Sequence, residues 1–151
     1  MTDSVRQGPL VSVVLPARNA EKRLKIAADS ILNQTIDDLE LIIVNDQSDD
    51  STLEVAKSIA SADHRVRVID SGSPHGLVTA LTQGTAMARG QFIARMDADD
   101  ISFPDRLQKQ VEFLDRNSEI SACGTCVRVA NPLGKGISRA VLDEFALPVL
   151  L

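Results

Sequence analysis

Residues 39–62 read LELIIVNDQSDDSTLEVAKSIASA. The segment LELIIVND (39–46) is an apolar run that reads as a buried strand, and the polar cluster NDQSDDS stops it. That cluster supplies capping oxygens for a helix whose apolar stripe is Leu53, Ala56, Ile59 and Ala60. A strand, a polar turn and an amphipathic helix in succession form the unit from which parallel sheets are built.

The same unit recurs on either side. Upstream, LVSVVLP (10–16) is a continuous apolar run ended by proline, followed by a helix carrying Leu24, Ala27, Ala28, Ile31 and Leu32 on one stripe. Downstream, RVRVID (65–70) alternates as a half-exposed strand does. A third helix with Leu77, Ala80, Leu81, Gly84 and Ala88 comes next, with close backbone packing at Gly84 and a stop at Gly90. QFIARM (91–96) is the fourth strand, and Pro104 opens a helix with the stripe Leu107, Val111 and Leu114. EISACGTCVRVA reads as a further strand or strand pair before the turn-rich NPLGKG. The expectation is an α/β fold with a mostly parallel sheet and helices on both faces, formed by residues 1–151 as one domain behind an N-terminal tail at 1–9.

A chain of 151 residues can bury one core, and its 44% hydrophobic and 25% charged residues are ordinary for a folded globular protein. The net charge of −5 and the lack of a Lys/Arg cluster argue against nucleic acid as a partner. No apolar run approaches the roughly 20 residues that span a bilayer. PLVSVVLPA is a poor export signal, because Asp3 precedes it and Ser12 interrupts it. Cys123 and Cys126 form a CxxC without the helix start that activates a redox pair or enough further ligands for zinc, so both are expected to be buried small apolar groups.

Ligands of open parallel sheets sit beyond the carboxyl ends of the strands. Three of the predicted strands end there in polar residues, ARN, NDQSDD and DADD, and these are expected to converge on one crevice. Neither GxGxxG nor GxxxxGK[ST] is present, so phosphate in an acidic crevice has to be held through a cation such as Mg²⁺ or Mn²⁺. Asp97 and Asp99, two apart in an extended segment, can face the crevice together while Ala98 faces the fold. Asp100 is expected to cap the helix begun near Pro104. Asp46, just past a buried strand, can accept hydrogen bonds from a base or ribose, and Arg18 can stack on a base or meet a phosphate. Each also has a plainer role, as a helix cap or a turn arginine. His75, with no acid or nucleophile at motif spacing, is expected to be a surface residue.

VSVVLPARNAEKRLKIAADSILNQT, LELIIVNDQSDDST, GTAMARGQFIARMDADD and PDRLQKQVEFL, in that order, resemble the amino-terminal nucleotide-binding half of family 2 glycosyltransferases with the GT-A fold, over residues 10–129. The resemblance implies that Pro16, Ala17, Arg18 and Asn19 meet the base, that Asp46 bonds it, and that Asp97 and Asp99 are the DxD. In that motif Asp97 lies near ribose or sugar and Asp99 holds the metal. It further implies an inverting transfer from a nucleoside-diphosphate sugar, uridine favoured, to a hydroxyl of a glycan or lipid-linked acceptor. The setting implied is cytoplasmic, with room for peripheral association at the membrane face. Three positions depart from the pattern: Arg18 stands where tyrosine is common, Gln83 replaces an asparagine, and VNDQS replaces VDDGS. The general base belongs to a later acceptor-binding half. Residues 130–151 look like an incomplete start of it, with Asp143 and Glu144 poor candidates, so the chain is expected to be truncated and its base to lie beyond Leu151. The rival readings are a nucleotide-diphosphate-binding module without transfer activity and a metal-dependent nucleotidyltransferase.

Overall fold

The computed structural model describes residues 8–72, 76–130 and 136–140. His75, Asp143 and Glu144 lie outside these residues, as does the apolar end LPVLL. The described residues form two compact units, divided between Leu107 and Gln108.

In the first unit, strands β1 (Val11–Ala17), β2 (Leu39–Asn45), β3 (Val66–Asp70) and β4 (Phe92–Arg95) make a sheet in the order β3-β2-β1-β4. All its pairings are parallel. Every residue of β1 and β2 is buried, which accounts for their apolar runs, interrupted within the strands only by Ser12 and Glu40. The chain steps from β1 through α1 (Leu24–Leu32) to β2, and through α2 (Thr52–Ala62) to β3. It then returns through α3 (Gly76–Ala86) to place β4 on the far side of β1. With right-handed crossovers, the reversal of direction puts α3 on the opposite face from α1 and α2. Packing agrees: α1 and α2 touch each other, whereas Ala80 of α3 seats on Val14, Ile42 and Val44. Helices therefore cover both faces, as expected.

Gly84 is where α3 comes nearest the sheet. A Cβ there would lie 2.4 Å from Val14 Cγ1 and 3.1 Å from Val44 Cγ2. Gly84→Ala should gain about 1 kcal/mol of helix propensity but lose about 1–3 kcal/mol to overpacking. A net loss of about 1 kcal/mol is the expected outcome of urea denaturation.

Several boundaries differ from expectation, each for a physical reason. β1 runs through Pro16 to Ala17, because β4 leaves the ladder at the Val14–Arg95 pair and the missing N–H of Pro16 faces that vacated side. α3 ends at Ala86, and Gly90 is not a left-handed cap; a Cβ on Gly90 would lie 2.5 Å from Ser12 N, so close approach to β1 is what requires glycine there. α4 (Arg106–Arg116) starts after Pro104, and Leu107 N–H donates to Gln34 Oε1 (3.0 Å), so the oxygen at its start comes from Gln34 rather than Asp100.

In the second unit, β5 (Val127–Ala130) pairs antiparallel with β6 (Gly136–Ala140), so only the end of EISACGTCVRVA is a strand. Cys126 is exposed and Cys123 half-buried, which corrects the expectation that both are buried; they form no disulfide. Burial pushes the Cys123 thiol up, away from the reactive thiolate. Among the described residues no helix is long and apolar enough to cross a membrane.

Candidate functional site

Because the strands are parallel, Ala17, Asn45, Asp70 and Arg95 finish on one edge of the sheet. β1 sends its chain toward β2 while β4 lies on its other side, so the switch point where ligands enter such sheets falls between the ends of β1 and β4. Asp97 and Asp99 follow β4 directly, and Arg18 and Asn19 follow β1.

Hydrogen bonds lace the loop after β1 to the loop after β2. Asp46 N–H donates to Ala17 O (2.9 Å), and Asn19 N–H to Ser48 Oγ (3.1 Å). Asp49 N–H returns a bond to Asn19 Oδ1 (2.8 Å), Ala20 N–H donates to Thr52 Oγ1 (2.7 Å) and Glu21 N–H to Asp50 Oδ2 (3.2 Å). The hydroxyl of Thr52 also bonds Asp50. Asn45, buried under this lattice, takes Ser48 Oγ on its amide oxygen (2.7 Å) and donates Nδ2 to Asp70 (3.0 Å).

Asn19 and Gln47 both adopt left-handed backbone, with φ of 49° and 47°. Gln47 occupies the glycine position of the commoner VDDGS, so the left-handed turn survives without glycine. Non-glycine residues in that region cost about 1 kcal/mol or more and persist where the surroundings dictate them.

The predicted residues divide by environment. Pro16 and Ala17 are buried in β1, leaving Arg18 and Asn19 exposed at its carboxyl end. Asp46 is buried at the end of β2. Ala98 is buried as predicted, with Asp97 half-buried and Asp99 exposed on either side of it.

Two arginines hold the acidic segment, and neither was singled out from the sequence. Arg95 Nη2 donates to both carboxylate oxygens of Asp97, at 2.9 and 3.0 Å. The i, i+2 spacing of an extended chain, which puts both on one side, was the available signal. Arg23, just ahead of α1, stands 3.6 Å from Asp99, which brings the DADD segment to the loop after β1. Partial desolvation and the neighbouring charges of Asp97 and Asp99 push the Asp100 carboxyl above its usual range.

Among the described residues there is no group of three or more His, Cys, Asp or Glu that could by itself hold a metal. A pair of aspartates can still serve a Mg²⁺ or Mn²⁺ ion that takes its other ligands from phosphate and water.

Residues 12–139 match the family described as Glycosyl transferase family 2. An uncharacterized glycosyltransferase of Haemophilus influenzae is 39% identical over 121 residues, covering 80% of this chain and 38% of that protein. The chain spans less than half the length of such curated relatives. The mannosyltransferase PcManGT from Pyrobaculum calidifontis, solved in complex with GDP-Man and Mn²⁺, superposes with a TM-score of 0.72 at 24% identity, over 81% of this chain and 36% of that one. S. aureus TarS 1-349, solved in complex with UDP, gives 0.64 at 20% identity, over 80% and 41%. At such identities the likeness shows the fold, which is the GT-A architecture expected from the sequence.

Proposed function

This chain belongs to glycosyltransferase family 2, and from that membership we propose that its single domain is the donor-binding part of an inverting, metal-dependent transferase that moves a sugar from a nucleoside diphosphate to an acceptor hydroxyl. The observation that carries the reading is the placing of a buried Asp46 at the end of β2 and of Asp97 and Asp99 after β4, on either side of the switch point.

In this reading Asp46 accepts hydrogen bonds from the base, in a wall formed by Pro16, Ala17, Arg18 and Asn19. The laced loops hold that wall in shape before the nucleotide arrives, so little ordering is left to oppose binding. Asp97 faces ribose or sugar, and Asp99 is the protein ligand of a divalent ion. The donor set fits such an ion: both groups are hard carboxylate oxygens, and the ion pair between Asp99 and Arg23 is exposed and 3.6 Å long, hence weak and replaceable. A bound Mn²⁺ or Mg²⁺ supplies Lewis-acid assistance to the departing diphosphate. No described residue is assigned as the base that takes the acceptor's proton. Uridine is favoured by the resemblance, and the UDP complex of TarS supports it.

Calorimetry with UDP, with and without Mn²⁺, tests the reading. Mn²⁺ should tighten UDP binding by about tenfold or more, since the diphosphate gains a charge-neutralising bridge. Equal affinities would overturn it.

A further inference from the structure

Residues 96–105, which carry Asp97 and Asp99, have no helix or strand of their own. Apolar packing does not hold their exit either: Ile101 is 71% exposed and Phe103 60%. Between those two, Ser102 is buried, and it is buried among polar groups.

Gln34, two residues past α1 and only 4% exposed, is the centre of that cluster. Its Nε2, with two hydrogens, donates to Phe103 O (2.7 Å) and Ser30 O (2.9 Å) and shares one of them with Ser102 Oγ (3.1 Å). Its Oε1 accepts from Leu107 N–H (3.0 Å). Beside it, Ser102 N–H donates to Ser30 Oγ (3.0 Å) and Thr35 N–H to Pro104 O (2.9 Å). The Arg106 guanidinium joins the two ends of the segment, with Nε on Ser102 Oγ (2.8 Å) and Nη1 on Arg95 O (3.2 Å). Arg95 is the residue that grips Asp97.

We infer that Gln34 is a positioning residue for the Asp97 and Asp99 carboxylates, acting through Ser102 and the backbone of residues 103 and 107. The inference rests on the functional reading above and adds a determinant at the opposite end of α1 from Arg23. A buried amide with both ends engaged has one arrangement, and it transmits that arrangement to the exit of the segment, where Ile101 and Phe103 leave the core while Met96 and Ala98 anchor its start.

Gln34→Leu removes every side-chain hydrogen bond at similar volume, and Ser102→Ala removes the shared hydroxyl. Calorimetry of the full chain with UDP, with and without Mn²⁺, is run on both, alongside thermal melts. Supporting groups of this kind are worth about 10–100-fold in metal affinity. The Mn²⁺-dependent gain in UDP affinity should fall by about tenfold in Gln34→Leu and by a smaller factor in Ser102→Ala. UDP affinity without Mn²⁺ should stay within about twofold, since the Asp46 side is untouched, a split that general loosening of the fold would not produce. A wild-type gain in both variants overturns the inference. Should Gln34→Leu fail to fold, Ser102→Ala decides by the same measure. An unmodified chain with no Mn²⁺ gain overturns the functional reading, and this inference with it.

Discussion

Asp99→Ala is expected to abolish the tightening of UDP by Mn²⁺ while leaving the domain folded. Removing the proposed ligand of a bridging ion should cost the whole Mn²⁺ gain, about tenfold or more, which is about 1.4 kcal/mol per decade. The structural cost should be slight, because the Arg23–Asp99 pair is 3.6 Å long and both side chains are more than half exposed. Pairs of that kind contribute about 0–1 kcal/mol. Asp100→Ala is the control. It removes a carboxylate that crowds Asp97 and Asp99, so the Mn²⁺ gain should survive within about threefold. Equal losses in the two variants would mean that bulk negative charge, rather than Asp99, attracts the ion.

The second large effect concerns stability, at the edge of the sheet away from the site. Glu40 is 3% exposed in its side chain and stands beside Ser12 in the β1–β2 register. Its carboxylate takes Ser12 Oγ (2.7 Å), Arg89 N–H (2.9 Å), Arg89 Nη2 (2.8 Å) and Arg67 Nη1 (3.2 Å). Burial pushes its pKa up, but the hydrogen bonds from Arg89, Ser12 and Arg67 outweigh burial and hold it at about 2 against an ordinary 4.5. Asp63 is likewise held at about 2, chiefly by the Arg65 side chain.

Both groups are depressed, so their stabilisation is complete above about pH 4.5. As the pH falls toward 2, the unfolded chain binds protons that the folded one refuses, and stability is lost. Glu40→Ala at pH 7 should cost about 3 kcal/mol, the usual toll for breaking a buried charge cluster, and lower the Tm by roughly 10 °C. In Glu40→Gln the decline between pH 4.5 and pH 2, followed by urea denaturation, should be shallower than in the parent. An unchanged decline would mean that the carboxylate is not what resists protonation.

The sheet was legible because β1 and β2 are buried on both faces and are apolar at nearly every position. Ser12 and Glu40, the two polar interruptions of those runs, were not recognised as a pair. Register places them side by side, and register is a tertiary fact. Gln34 was invisible for a similar reason, since its partners at Ser102, Phe103 and Leu107 are 68, 69 and 73 residues away. Gly90 looked like a helix stop because glycine after an amphipathic stripe usually is one, whereas contact with Ser12 requires it here. Proline reads as a start, and Pro104 misplaced α4 by two residues. At the proposed site, strand-end geometry pointed to Asp46, Asp97 and Asp99; the i, i+2 spacing could have revealed Arg95 beside Asp97, but nothing local could reveal that Arg23 stands beside Asp99.

The cross-bonding of the first two loops limits how this domain could be rebuilt. Ala20, Glu21 and Asn19 send backbone N–H groups to side chains of residues 48–52, and Asp49 and Ser51 send theirs back to Asn19 and Glu21. A chimaera that imports residues 17–21 from a homologue while keeping residues 45–52 strands the N–H groups of Asp49 and Ser51 wherever the import lacks acceptor side chains at positions 19 and 21. On the proposed reading, exchange of base preference by grafting has to move the two segments together, as one cassette.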